Sequence, residues 1–191
     1  MRRIGITGGI GSGKSVVSRL LRIMGYSVYD TDSEAKRLME SSLDVVQKLS
    51  ECFGRDIYHN GRLNRGLLSS RVFGESDKIV LLNYIVHPVV RFDFYRWSES
   101  LNEEICFVES AILYESRFDE LVDEVWTVTA PEELRIGRVR QRSGLTEEEI
   151  KKRMAAQLSE EEKQRRAAHI IWNDGNVSVI HRVLSLLKSL E

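Results

Sequence analysis

A glycine-rich octapeptide near the start of the sequence limits the possible folds more than any other feature. Residues 8–15 read GGIGSGKS and fit the pattern G-x-x-x-x-G-K-[ST]. The motif follows the apolar run Arg3–Thr7 and precedes a stretch with helical apolar spacing that begins at Val16. Between a strand and a helix, this motif forms a loop whose backbone N–H groups surround phosphate oxygens. The sequence therefore predicts a nucleoside-triphosphate site.

The residue types in the loop have separate chemical reasons for their positions. Glycines let backbone N–H groups approach phosphate without a clash from Cβ. Lys14 is expected to reach the β- and γ-phosphates, and the hydroxyl of Ser15 to ligate Mg²⁺. The nucleotide contacts predicted in this segment are Gly8, Gly9, Ile10, Gly11, Ser12, Gly13, Lys14, Ser15 and Val16.

Five short apolar runs predict a parallel sheet buried on both faces. Helical stretches separate the runs, which is the pattern of βαβ units and a doubly wound α/β fold. The 191 residues give room for one domain, and 42% of them are hydrophobic, so the chain needs no metal or disulfide to fold. The predicted strands are Arg3–Thr7, Ser27–Asp30, Ile105–Glu109, Glu124–Thr129 and Ile170–Trp172.

Two regions depart from the alternation of strand and helix. Residues 41–104 read as consecutive helices with loops such as HNGRLNRG (59–66) and no confident strand, which predicts a helical insertion. Within them, His87-Pro88 has the pattern of a helix start with Pro at the first position. The neighbouring aromatic residues are expected in the core rather than in a base-stacking platform. They are Tyr84, Phe92, Phe94, Tyr95 and Trp97.

The second region, residues 131–166, holds ten Lys or Arg and eight Glu, so its helices are predicted to be largely solvated. Pro131 before two glutamates indicates a helix start, and Thr146 with Glu149 has capping-box spacing. A solvated helical hairpin at the edge of a sheet could move as a flap. Arg138 and Arg142 share one helix face, with Arg135 three residues earlier, and could contact phosphate or simply form a solvated face.

Acidic residues follow two of the predicted strands. Asp30 and Asp32 come at the end of the second strand, where a carboxylate could accept a hydroxyl proton or could cap the next helix. Glu109 ends the strand Ile105–Glu109, a position where a carboxylate commonly supports Mg²⁺. Glu115 lies six residues further on. Spacing alone leaves catalysis and capping equally open for Asp32.

Charge and composition exclude several function classes. The sequence has 28 basic and 29 acidic residues, which argues against a nucleic-acid partner. It has no run long enough to span a membrane and no signal-peptide pattern, and it shows no obligate protein partner. Cys52 and Cys106 match no metal or disulfide spacing and read as buried thiols in a reducing compartment. A cytoplasmic location is therefore expected.

Motifs typical of other classes of nucleoside-triphosphate-binding protein are missing. The N/T-K-x-D and D-x-x-G motifs of switch GTPases do not occur, and large motor ATPases need a longer chain. A small kinase that transfers phosphate to a second substrate remains. A nucleotide-binding regulator that reports ATP to a protein partner is the rival reading from another class.

Further segments, in order along the chain, resemble the bacterial dephospho-coenzyme A kinase family nearly from end to end. The resemblance implies a three-layer P-loop NTPase fold with a five-stranded parallel sheet, a helical substrate-binding insertion at about 41–104 and a helical lid at about 131–166. Residues 1–40, 105–130 and 167–191 would form the core. The matching segments are ITGGIGSGKS (6–15), YDTDSEAKRL (29–38), Phe53-Gly54, NGRLNR (60–65), Val72-Phe73, IVHP (85–88), ILYE (112–115), RxxxR (138–142), RMAAQ (153–157) and WNDG (172–175).

The resemblance implies transfer of phosphate from ATP to the 3′-hydroxyl of 3′-dephospho-CoA, the last step of CoA synthesis, with Mg²⁺. Asp32 matches the family's base, which favours catalysis over capping at this position. Arg65 and His87 would contact dephospho-CoA, with Asp32 and Glu109 also on the substrate side. Lys14, Arg138 and Arg142 would contact phosphate, Ser15 and Glu109 would serve the metal, and the turn Asn173–Gly175 would border the adenine.

The sequence departs from the family pattern in three places. Where the family has V-P-L-L-F-E, residues 110–115 read SAILYE, so that Ala111 stands at the usual proline. Glu109 stands at the usual aspartate, and a glutamine that the family often carries near Arg135 is missing. A nucleoside-monophosphate or shikimate-type kinase on the same fold remains the nearest alternative.

Overall fold

A computed structural model describes residues 1–72 and 74–190. Phe73, which the family resemblance includes, lies outside the described residues. The chain forms two compact units. One unit comprises Met1–Tyr29 and Asn102–Glu191, and the other comprises Asp30–Leu101, so that it begins earlier than residue 41. The assignment of substrate and lid functions to parts of the chain stays a prediction.

The elements are numbered in chain order. The strands are β1 (Arg2–Thr7), β2 (Val28–Asp30), β3 (Tyr58–His59), β4 (Arg62–Leu63), β5 (Ile105–Glu109), β6 (Glu124–Thr129) and β7 (His169–Trp172). The α-helices are α1 (Lys14–Ile23), α2 (Thr31–Ser41), α3 (Leu43–Phe53), α4 (Arg65–Val72), α5 (Ser76–Glu99), α6 (Glu132–Ser143), α7 (Glu147–Ala155), α8 (Glu160–Arg166) and α9 (Val179–Lys188).

The five predicted strands form one sheet in the order β2-β5-β1-β6-β7. The central strand β1 pairs in parallel with β5 on one side and with β6 on the other. The register places Ile6 beside Glu109 and beside Trp126. These pairings confirm the α/β class with a five-stranded parallel sheet. They also bring the carboxyl ends of the central strands to the same edge, where α/β proteins bind ligands.

Alternation along the central strands sends apolar side chains to the face that α1 and α9 cover. A single cluster results, in which every member is buried. The opposite face of β6 carries Thr127 and Thr129, which are buried polar residues that contact the α8 segment. The cluster consists of Ile4, Ile6, Val17, Leu21, Phe107, Trp126, Val128, Ile171, Val183, Leu186 and Leu187.

The described residues of the unit Asp30–Leu101 include the helices α2 to α5 and a two-stranded hairpin, β3–β4. Asn60 and Gly61, which connect the strands, have φ of 49° and 75°. Two consecutive positive φ angles are typical of the tight turn that Asn-Gly favours. The prediction of no strand within residues 41–104 is therefore wrong. The Asn-Gly pair was the signal for the hairpin.

Helix α5 corrects two further predictions. Pro88 lies inside this 24-residue helix, so His87-Pro88 is not a helix start. Of the five aromatic residues expected in the core, only Phe94 is buried. Tyr84, Phe92 and Tyr95 are exposed, because they lie on faces of α5 away from the residues that pack against α2, α3 and α4.

The segment 131–166 forms three helices, and the capping signals predicted the starts of the first two. Helix α6 begins after Pro131, and Thr146 with Glu149 forms a complete capping box at α7. Its description as largely solvated is wrong at two positions. Arg135 is 4% exposed and Lys163 is fully buried, because both side chains turn toward the sheet and its loops.

The two cysteines differ in exposure. Cys106 is buried, as predicted, and burial raises the pKa of its thiol to about 11. Cys52 is exposed, so its prediction as a buried thiol is wrong. Among residues 1–72 and 74–190, no helix is both long and apolar enough to cross a membrane.

Candidate active site

The motif of residues 8–15 forms the turn between β1 and α1, as the sequence predicts. Gly13 precedes α1 with φ of 100° in the left-handed region, where a residue with Cβ would be strained. A Cβ there would also overlap the amide of Asn173. The ammonium of Lys14 donates to the carbonyl oxygens of Gly8 (2.8 Å) and Gly9 (3.3 Å). The lysine charge therefore lies inside the curl of the loop.

Side chains from later parts of the unit satisfy the carbonyl groups of the loop. Nε of Arg135 donates to the carbonyl of Ile10 at 3.1 Å. Arg138 donates to the carbonyls of Gly11 at 3.4 Å and of Asn173 at 2.8 Å. Nδ2 of Asn173 donates to the carbonyl of Ser12 at 2.9 Å. Helix α6 and the segment after β7 thus hold the loop.

Two side-chain oxygens accept the first N–H groups of the same loop. Oε1 of Glu160 accepts the N–H of Gly9 at 2.8 Å, and Oε1 of Gln157 accepts the N–H of Ile10 at 3.0 Å. A Cβ at position 9 would overlap the ends of the Glu160 and Arg135 side chains, so a larger residue there would displace them. Both acceptors lie in the segment from the end of α7 to the start of α8.

The charges beside the loop are paired. Nη1 of Arg135 lies 3.3 Å from Oε1 of Glu160, and the side chains are 5% and 15% exposed. The second oxygen of Glu160 accepts the hydroxyl of Thr129 at 2.9 Å. Arg142, by contrast, is exposed and makes no hydrogen bond or ion pair with a described residue. Arg142, like the exposed Arg140, is thus an arginine of α6 that these contacts leave available to a ligand.

Glu109 ends β5 one strand away from the start of the loop, and it is half-buried. The hydroxyl of the next residue, Ser110, is buried without a hydrogen-bond partner among the described residues. Further along, Oε1 of Glu115 accepts the N–H of Leu158 at 2.6 Å. The same oxygen lies 3.7 Å from the ammonium of Lys163, whose pKa burial lowers.

Oxygen donors at this edge suit Mg²⁺. The cation takes few protein ligands and completes its shell with water and phosphate oxygens. Residues 1–72 and 74–190 contain no group of three or more His, Cys, Asp or Glu that could enclose a metal. The hydroxyl of Ser15, the carboxylate of Glu109 and the unpartnered hydroxyl of Ser110 fit such an open site.

In the unit Asp30–Leu101, the structure distinguishes the two aspartates that follow β2. Asp30 is the cap of α2, and its carboxylate accepts the N–H groups of Asp32 (3.0 Å) and Ser33 (3.1 Å). Asp32 is an exposed residue of the first turn, and its carboxylate makes no hydrogen bond or ion pair with any described residue. Capping therefore belongs to Asp30.

The other predicted substrate contacts also lie in this unit. Arg65 is the first residue of α4 and donates to Glu40 at 3.1 Å. His87 is half-buried in the middle of α5. Burial, together with the positive charge of Arg91, lowers the pKa of His87, so that its imidazole is neutral at pH 7. A neutral imidazole can donate one hydrogen bond and accept another.

The turn Asn173–Gly175 forms as a compact loop after β7. The carboxylate of Asp174 accepts the N–H of Asn176 at 2.9 Å, and Gly175 has φ of 90°. Asn173 links this turn to the phosphate loop. The adenine contact that the resemblance implies for the turn stays a prediction.

Sequence reasoning missed several residues that hold the phosphate loop or the segment after β5. Glu160 and Lys163 were read as part of a solvated charged run, and Arg135 was noted only for its spacing from Arg138. Gln157 was quoted within RMAAQ without a role. No local pattern identifies such residues, because each contacts a group more than 50 positions away.

A family model described as dephospho-CoA kinase matches residues 2–178. The chain belongs to the dephospho-CoA kinase family. As a member, it is an ATP-dependent kinase that phosphorylates dephospho-CoA in the last step of CoA biosynthesis. The match decides against a different small-molecule kinase and against a nucleotide-binding regulator without enzymatic activity.

The chain is also similar to individual proteins. A dephospho-CoA kinase of Porphyromonas gingivalis is 40% identical over 191 residues, covering 100% of this chain and 95% of that protein. The crystal structure of TT1252 from Thermus thermophilus is 36% identical, with a TM-score of 0.87 over 99% of this chain and 97% of that one. A dephospho-CoA kinase of Campylobacter jejuni shares the fold at 23% identity, with a TM-score of 0.74 over 100% and 98%.

Proposed function

We propose that the chain transfers the γ-phosphoryl group of ATP to the 3′-hydroxyl of the ribose of 3′-dephospho-CoA, with Asp32 as the base. The observation that carries the proposal is the phosphate loop at the start of α1, with the charge of Lys14 inside it. Backbone N–H groups and the helix dipole attract the phosphates of ATP there. Lys14 moves from the carbonyl oxygens of Gly8 and Gly9 to the β- and γ-phosphates.

The transfer step conserves atoms and charge. The 3′-oxygen forms a bond to the γ-phosphorus, the bond from that phosphorus to the bridging oxygen breaks, and ADP leaves. The proton of the 3′-hydroxyl passes to the carboxylate of Asp32. Two features support this role: Asp30 already caps α2, and the carboxylate of Asp32 is exposed.

Arginines of α6 complete the phosphate site. Arg142 would contact the transferring phosphate when the lid 131–166 closes, because its side chain is exposed and makes no hydrogen bond or ion pair with described residues. Arg138 keeps its bonds to Gly11 and Asn173 and supplies positive charge beside the nucleotide. A closed lid also keeps water from the γ-phosphate and so limits ATP hydrolysis.

The remaining roles follow from donor chemistry. Arg65, His87 and Glu109 are the proposed contacts of 3′-dephospho-CoA besides Asp32. Ser15 and Glu109 would hold Mg²⁺. When bound, the cation neutralises charge on the β- and γ-phosphate oxygens. A cytoplasmic location, and the absence of a nucleic-acid or obligate protein partner, stay predictions of the sequence.

An acceptor panel tests the proposed reaction. ADP release is measured with ATP, Mg²⁺ and one acceptor at a time: 3′-dephospho-CoA, AMP, shikimate or none, with mass detection of the product. We expect the mass of one phosphate to be gained by 3′-dephospho-CoA alone, at the 3′ position. ADP release with another acceptor only, or phosphorylation at another hydroxyl, would contradict the proposal.

A further inference from the structure

We propose that Glu160 is a positioning residue that holds the phosphate loop in the conformation that binds ATP. The carboxylate lies beside the loop, where a negative charge would weaken the binding of phosphate if it did nothing else. Its contacts give the reason for its presence. The proposal concerns nucleotide affinity at the loop and does not depend on which hydroxyl is phosphorylated.

The two carboxylate oxygens of Glu160 join three elements. Oε1 accepts the N–H of Gly9 at 2.8 Å and lies 3.3 Å from Arg135 of α6, while Oε2 accepts the hydroxyl of Thr129 at the end of β6. A hydrogen bond to a charged group is stronger than a neutral one, and the side chain is only 15% exposed. The loop is therefore tied to β6 and α6 through one side chain.

The charge of Glu160 also fixes Arg135. The side chain of Arg135 is 5% exposed, and its Nε donates to the carbonyl of Ile10. Leaving such a buried charge without its partner is costly, so loss of Glu160 would displace Arg135 as well. One substitution would then free both the N–H of Gly9 and the carbonyl of Ile10.

These anchors act on the first half of the loop only. The N–H groups of Gly9 and Ile10 donate to Glu160 and Gln157. Lys14 and Ser15, in contrast, belong to the start of α1. With the first half fixed, the second half presents its N–H groups to phosphate without an ordering cost at the moment of binding. Glu160 therefore acts on ATP affinity through the backbone rather than by touching ATP.

Three variants separate geometry from charge. Glu160→Ala removes both, Glu160→Gln keeps an acceptor for Gly9 but removes the charge, and Glu161→Ala is the matched control. Glu161 is the exposed neighbour in the same first turn of α8, and it makes no bond with described residues. Each variant is titrated with fluorescently labelled ADP and Mg²⁺, and KM is measured for ATP and 3′-dephospho-CoA.

We expect Glu160→Ala to weaken ADP binding about tenfold or more and to raise KM for ATP by a similar factor. The reason is that the loop loses the contacts that hold it in one conformation. KM for 3′-dephospho-CoA should stay within about twofold. Glu160→Gln keeps an acceptor for Gly9 but leaves Arg135 without its carboxylate, so it should recover only part of the ADP affinity. Glu161→Ala should behave as the wild type. If Glu160→Ala does not fold, Glu160→Asp keeps the charge, shortens the reach to Gly9 and should weaken ADP binding likewise.

Two results would overturn the proposal. Tighter ADP binding in both Glu160→Ala and Glu160→Gln would show that the carboxylate acts only as an unfavourable charge. A lowered melting temperature with unchanged ADP affinity and unchanged KM for ATP would show a structural role alone. Failure of the wild type to phosphorylate 3′-dephospho-CoA would refute the proposed reaction and leave this nucleotide-binding test intact.

Discussion

Arg135 and Lys163 are both buried cations of the segment 131–166, and they are stabilised differently. Arg135 has a carboxylate partner, Glu160, together with the carbonyl of Ile10. Lys163 donates to the carbonyl of Ala111 at 2.9 Å, and its nearest carboxylate oxygen lies at 3.7 Å. Burial outweighs that distant charge and lowers the pKa of Lys163.

The lowered pKa of Lys163 predicts a pH dependence of stability. In the folded chain the ammonium loses its proton at a lower pH than in the unfolded chain, whose pKa is near 10.5. Between these two pKa values the unfolded state binds more protons than the folded state. The contribution of Lys163 to the free energy of unfolding therefore increases as pH rises. Lys163→Met abolishes the titration. The difference in unfolding free energy, wild type minus variant, should therefore increase from neutral pH toward 10.5.

Denaturant unfolding of both proteins at a series of pH values measures this difference. Comparison with the variant cancels the titration of the other lysines and tyrosines. A difference that falls with pH would mean that the fold stabilises the charged form of Lys163, and a flat difference would mean that the fold does not shift its pKa. Either result would contradict the prediction.

Asp32→Asn separates the proposed base from a capping residue. Because Asp30 is the cap, the substitution should leave the melting temperature and ATP binding nearly unchanged. Turnover should fall about 10²–10⁴-fold with the loss of a general base. Asp44→Asn is the control, since Asp44 is another exposed first-turn aspartate of the same unit. Turnover near the wild-type value in Asp32→Asn would remove Asp32 from the mechanism.

Residue patterns predicted the phosphate loop itself better than the side chains that support it. The octapeptide 8–15 carries its own signal, because glycine and lysine spacing encodes a phosphate loop locally. Glu160 and Gln157 contact that loop across about 150 positions, and charge runs give no sign of which glutamate turns inward. The distinction between Asp30 and Asp32 likewise required the backbone geometry of α2.

At the level of elements, repeating patterns predicted structure where packing agrees with local preference. All five strands of the main sheet, the start of α6 and the capping box of α7 appear as predicted. Pro88 misled because proline favours a helix start in isolation, whereas packing of α5 against three other helices offsets the lost backbone hydrogen bond. The strands β3 and β4 have two residues each, too few to show any period.

The capping box of α7 gives a prediction about one element. The hydroxyl of Thr146 accepts the N–H of Glu149, and the carboxylate of Glu149 accepts the N–H of Thr146 at 2.8 Å. Thr146→Ala should lower the unfolding free energy by about 1 kcal/mol, and Thr146→Ser should restore most of it. Denaturant titration checks both. Equal stability of all three proteins would show that α7 does not depend on its cap.

For the whole molecule, nucleotide binding should stabilise the folded state by mass action. At a concentration of Mg·ADP about 100 times its Kd, the unfolding free energy should rise by about 2.7 kcal/mol. In Lys14→Ala the rise at the same concentration should be much smaller, because the charge that meets the phosphates is gone. Thermal unfolding with and without Mg·ADP measures both. An undiminished rise in Lys14→Ala would refute the role of the loop lysine.

The order β2-β5-β1-β6-β7 has a consequence for synthesis of the chain on the ribosome. The strand made first lies at the centre of the sheet, and both of its neighbours come after residue 104. The loop that follows it is held by Arg135, Gln157, Glu160 and Asn173. At roughly 5–20 residues per second, the nascent loop waits about 10–30 s for its last support. During that time ATP has no finished site to bind, so nucleotide can stabilise the completed chain but cannot guide its early folding.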